Sequence, residues 1–214
     1  MKKMFMNLRI KRELKELKEF KKTFKFEMKE IVETKNGKFC DGVMLEDKNG
    51  NLFPESETWI NVHFKHLFSL SKMLSNLFQY RFYFRGKRIS SSIEAVLHGI
   101  MFKDVDAQNH VLRDGYSGLN ANVIKYASQY DWRKTGILYW QGKPIIRESE
   151  EYYDFIDELY VSAIQNPLLR GAIKNAGDKY IMHSIGGTDP KQTVLMRCEF
   201  EYELNLLREF LRTR

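Results

Sequence analysis

Glu94 and His98 stand one helical turn apart in Ile93-Glu-Ala-Val-Leu-His-Gly-Ile-Met101, beside an apolar stripe of Ile93, Val96, Leu97, Ile100 and Met101. A carboxylate held at a pocket mouth by a buried helix can serve as a general base or acid. Ser91-Ser-Ile-Glu94 also has the spacing of a capping box, in which the glutamate reaches back to the start of its own helix. The two uses are compatible. Upstream, Leu74-Ser-Asn-Leu-Phe78 carries Ser75 and Asn76 on a loop that arrives at the start of this helix. His63 and His66 are three residues apart with no third ligand close by, so metal is not expected. Cys40 and Cys198 are the only cysteines and read as structural thiols.

The elements that must position these groups follow from periodicity. Phe82 and Phe84 alternate with Tyr83 and Arg85 as a strand, Gly86-Lys87 turns, and Ile89 resumes before the serines. From Leu8 to Phe24 the apolar positions Ile10, Leu14, Leu17, Phe20 and Phe24 recur at helical spacing among Lys, Arg and Glu. Alternation over Phe24, Phe26 and Met28, a turn at Asn36-Gly37 and another at Lys48–Asn51 predict a small antiparallel sheet. Trp59, Val62, Phe64, Leu67, Phe68 and Leu70 read as core. Asp104–Tyr116 continues as helix or loop, and Asn120–Tyr130 reads as helix. Trp132 and Trp140, near basic residues, are candidates for stacking a base, with burial the alternative for Trp140. Ser149 caps one helix, Asn166-Pro167 stops it and starts the next, and Gly177 ends that one. Gly186-Gly187 makes a turn before the last helix, able to offer free amides to a phosphate or to serve as a plain turn. The fold class expected is α+β, predominantly helical, with a basic helical extension over 1–35 and one domain over 36–214.

Leu74-Ser-Asn-Leu-Phe78, a short strand and turn, then Ile89-Ser-Ser-Ser-Ile-Glu94 resembles the signature of the NADAR or YbiA-like family. The resemblance implies a single YbiA-like domain and a metal-independent, cofactor-free N-glycosidase, a hydrolase that removes ADP-ribose from guanine in nucleic acid. A riboflavin-intermediate N-glycosidase and a non-catalytic module binding nucleic acid or ADP-ribose are the alternatives. It implies Glu94 as the catalytic residue and Ser75, Asn76, His98 and His183 as substrate-binding residues, with Asn76 positioning the base or ribose by hydrogen bonds and His183 at a late acidic position of the family pattern. Where the family carries a lysine seven residues after the glutamate this chain has Met101, with Lys103 near; Arg147 keeps the arginine of an "R-x-D-W" element. Arg85, Lys103 and Arg147 are the candidate phosphate contacts.

Charge and composition bound the partners. The 214 residues carry a net charge of +7. Residues 1–35 hold 12 Lys or Arg against 6 Asp or Glu, so the excess belongs to the N-terminal stretch. Such a stretch is either a solvated helix packed by its stripe or a guide for a polyanion. No apolar run reaches the roughly 20 residues that a membrane span needs, and the start lacks a signal-peptide core, so a cytoplasmic protein acting on modified nucleic acid or a nucleotide-like small molecule is expected.

Overall fold

The computed structural model describes residues 2–65, 69–114 and 132–214. His66, Leu67, Phe68 and the helix expected over Asn120–Tyr130 lie outside them. The described residues form eight helices and nine short strands in four small sheets, a mixed α/β architecture.

The best-specified part is a helical hairpin, α6 (Glu150–Ala163) and α7 (Pro167–Asn175). Ser149 caps α6 by accepting from the Tyr152 amide, and Asn166 caps α7 by accepting from the Leu168 amide with Pro167 in the first turn. Gly177 takes φ +58° just beyond α7, a left-handed stop that suits a residue without Cβ. Tyr152, Phe155, Leu159 and Tyr160 put α6 through the centre of the core. The final helix α8 (Arg197–Arg212) completes it with Phe200, Leu204, Leu207 and Leu211.

The N-terminal helix α1 (Lys2–Lys21) belongs to the same core. Ile10 and Leu17 are buried in it, and Lys21 binds both carboxylate oxygens of Asp157 at 2.7 and 2.9 Å. Buried Glu13 accepts from Gln165 at 2.5 Å and Arg170 at 3.1 Å. The residues after α1 form no strand: Phe24 and Phe26 spend their apolar faces on Tyr202, and Phe26 stacks on Tyr180 at 6.1 Å. The predicted sheet begins later, as the meander β1 (Val32–Thr34), β2 (Gly37–Cys40) and β3 (Val43–Asp47), with an additional turn at Asp41-Gly42.

The one parallel pairing among the described strands fixes the site. β4 (Trp59–Asn61) pairs with β9 (Tyr180–Met182) in the register Trp59↔Tyr180, Ile60↔Ile181, Asn61↔Met182. Because the strands run together, the segments that follow them leave on the same side. Asn61 then ties those segments: its Nδ2 donates to Ser184 Oγ at 2.9 Å and its Oδ1 accepts from the Ser184 amide at 2.9 Å. From α2 (Leu70–Met73), buried Ser71 donates to the Asn61 carbonyl at 2.6 Å and accepts from the His63 amide at 2.8 Å.

Two hairpins support the remaining wall. In β5 (Phe82–Phe84) and β6 (Lys87–Ile89) the turn falls at Arg85-Gly86, one residue earlier than expected, and both residues take positive φ. β7 (Ile137–Trp140) and β8 (Lys143–Ile146) carry Trp140 into the core, and α5 (Trp132–Thr135) buries Trp132. Neither tryptophan is available to stack a ligand, because both rings are used as packing. Phe64, expected in the core, is instead 41% exposed. Helix α4 (Val105–Asp114) packs behind α3 (Ile93–Gly99), and no described helix is long and apolar enough to cross a membrane.

Candidate active site

Helix α3 starts one residue later than a capping box on Ser91 requires. Ser92 is the cap, accepting from the Ala95 amide at 3.3 Å, while Ser91 donates to the Leu112 carbonyl at 3.2 Å. Glu94 is therefore the second helical residue and its carboxylate takes no part in capping. Its amide is satisfied by the Asn76 carbonyl at 2.9 Å, which fastens the Ser75–Leu77 loop to the helix start. The side chain meets His98 Nε2 through Oε1 at 3.1 Å, as the spacing of the two residues allows.

Both face a cavity of about 760 Å³. Ser75, Asn76, Glu94, His98 and His183 all line it, so five of the residues singled out in the sequence are brought together. Asn76 is 8% exposed, and its Oδ1 accepts from the Tyr160 hydroxyl at 2.8 Å. That bond assigns the amide nitrogen as the group Asn76 presents as a donor.

His183 follows β9, and its Nδ1 lies 2.8 Å from the Val62 carbonyl, which can only accept. Nδ1 therefore carries the proton, and in the neutral ring Nε2 is an acceptor with no bond to a described residue. Burial holds the His183 pKa below the usual histidine value, against smaller opposing effects of the Val62 carbonyl and the Glu201 and Glu94 carboxylates. The ring lies 5.1 Å from Phe200, and its backbone amide donates to Glu201 at 2.8 Å.

The three cations proposed as phosphate contacts are elsewhere. Arg147 is buried in a bidentate pair with Glu199, at 2.9 and 2.8 Å, with its guanidinium 4.3 Å from the centre of the Tyr152 ring. Arg85 binds Glu158 at 2.8 Å and stacks on Phe155 at 4.6 Å. Lys103 is exposed, and none of the three lines the cavity. The cations that do are Lys65, Arg133 and Arg197. Arg197 was hidden in the sequence by its position inside the last amphipathic helix. His63 also lines the cavity, with Nδ1 accepting from the Lys65 amide at 3.3 Å. Among the described residues no cluster of histidine, cysteine and carboxylate groups could hold a metal ion.

Fold and site together define a mixed α/β protein whose cavity lies where two parallel strands end. The chain belongs to the bacteriophage protein GP30.3 family, whose model matches residues 69–209. No curated protein and no solved structure matches it. This corrects the NADAR or YbiA-like resemblance, and the glycosidase and ADP-ribosylation readings lose the support they drew from that family. The shared pattern has local causes: Ser75 accepts from the Leu77 amide in a turn, and Ser92 caps a helix, uses of serine that recur in unrelated folds. The family match contains every cavity residue named above except those on the 62–65 segment.

Proposed function

We propose that the Glu94 cavity is a hydrolytic site for a nucleotide-like ligand and that the bond it breaks is an N-glycosidic bond to ribose. The observation that carries this reading is the Glu94–His98 pair at 3.1 Å, facing a cavity that also receives Asn76 and His183. Cleaving such a bond develops positive charge on the ribose ring, which a nearby carboxylate stabilises. His98 engages Oε1, leaving Oε2 for the ring. His183, neutral and with Nε2 open, takes the proton of the attacking water, while the base departs with the electron pair of the broken C1′–N bond and is protonated by solvent. Asn76 donates to the base or a ribose hydroxyl. Lys65, Arg133 and Arg197 against the single lining carboxylate favour an anionic ligand, and the net charge of +7 suits a nucleic acid as its carrier.

The test is base release, followed by chromatography, from a panel of nucleosides, nucleotides and ribosylated oligonucleotides. Glu94→Gln is expected to lower turnover by about two orders of magnitude or more while ligand binding persists, the scale of lost general acid–base help. Ligand binding without turnover of any panel member would reduce the site to a non-catalytic binding module.

A further inference from the structure

A wall of this cavity is built from residues between Ile185 and Arg197, and its polar groups are arranged around one arginine. Arg197 is 8% exposed and lines the cavity. Its Nε donates to Glu201 Oε1 at 2.6 Å, and its Nη2 reaches the Lys29 carbonyl at 2.8 Å. Glu201, fully buried, is fixed in turn by the Tyr180 hydroxyl at 2.7 Å and the His183 amide at 2.8 Å. The guanidinium is thus locked on two of its nitrogens, while Nη1 has no partner among the described residues.

The Gly186-Gly187 turn lies directly against this arginine. The Gly187 carbonyl accepts from the Arg197 amide at 2.7 Å, and a Cβ on Gly186 would stand 2.9 Å from Arg197 Cβ and from His183 Cδ2. Only a glycine lets the backbone approach so closely. The Gly187 amide has no acceptor among the described residues. A guanidinium nitrogen and a backbone amide that both lack a partner among the described residues, on groups packed against each other in the cavity wall, are donors of the kind that phosphate oxygens accept from, and both are already held in place.

We infer that Arg197 and the Gly186-Gly187 turn form a phosphate subsite of the Glu94 cavity. The inference rests on the reading of that cavity as a ligand site and is independent of the chemistry assigned to Glu94. Lys65 and Arg133 add positive field from other parts of the lining.

The experiment is titration with inorganic phosphate and with pyrophosphate by calorimetry, on the wild type and on Arg197→Lys. The lysine keeps a charge facing Glu201 and removes the fork, and a thermal melt verifies that the variant is folded. Binding in the wild type that weakens at least tenfold in folded Arg197→Lys is the expected result. Binding that is absent, or unchanged in Arg197→Lys, overturns the subsite. Should Arg197→Lys not fold, the Arg197 guanidinium resonances of the wild type decide, shifting with added phosphate if the subsite is real and staying fixed if it is not. Base release by the wild type, assayed in parallel, separates the two readings: Arg197-dependent phosphate binding while the wild type leaves every ribosyl substrate intact keeps the subsite standing and removes the hydrolase.

Discussion

The Tyr160 hydroxyl donates to Asn76 Oδ1 at 2.8 Å in a buried position, so the amide that faces the cavity is oriented from beneath by α6. Tyr160→Phe keeps the ring and removes that donor. The orphaned carbonyl oxygen is expected to cost about 1–3 kcal/mol, read from urea unfolding, and the loosened amide should weaken ligand binding at the same time. A variant as stable as the wild type would show that Asn76 is held by its backbone bond to Glu94 alone.

Arg147 and Glu199 close a buried bidentate pair, and beside it Tyr152 donates to the Val194 carbonyl at 2.6 Å, which ties the pair to a residue lining the cavity. Arg147→Met leaves Glu199 as an uncompensated buried charge, an expected loss of about 3–5 kcal/mol. Burial already pushes the Glu199 pKa up in the presence of its partner. The double variant Arg147→Met with Glu199→Gln should recover part of the loss, and a double-mutant cycle measures how much.

The three serines before α3 divide their work. Ser92→Ala removes the cap and is expected to cost about 1 kcal/mol, with the start of α3 and hence Glu94 less firmly placed. Ser91→Ala removes only the bond to the Leu112 carbonyl. Hydrogen exchange at the first amides of α3 should rise in Ser92→Ala and stay near wild type in Ser91→Ala; the opposite order would move the cap to Ser91.

What the sequence made legible was local. Ser149, Asn166-Pro167 and Gly177 bound their helices because caps and stops act within a few residues, and Glu94 and His98 meet because α3 has a fixed pitch. Among three consecutive serines the capping-box spacing pointed to Ser91, one residue short of the true cap at Ser92, since each offers the same hydroxyl. Non-local pairings left no local mark. Nothing near Arg147 announces Glu199, 52 residues on. The parallel pairing of β4 with β9 joins His63 and His183 across a separation that no turn signal reports. Arg197 reads as one more charged position of an amphipathic helix until Glu201 and the glycine turn are seen around it.

A buried acid under α1 makes the stability fall as pH rises. Glu203 is 4% exposed and its Oε2 has no partner, while Lys21 spends its ammonium on Asp157. Burial, reinforced by the neighbouring Asp157 carboxylate and opposed by Lys21, raises the Glu203 pKa well above 4.5. The folded chain therefore keeps this proton to higher pH than the unfolded chain does. Below about pH 4.5 both states are protonated and Glu203 costs nothing; as pH climbs above that value the unfolded state gains by ionising, and stability falls until the folded group ionises too. Glu203→Gln cannot ionise and escapes this loss. Unfolding free energies of the two proteins, measured between pH 4 and pH 8, should diverge in favour of Glu203→Gln as pH rises. A difference that is flat across that range would mean that Glu203 is ionised in the fold and that Lys21 serves both carboxylates.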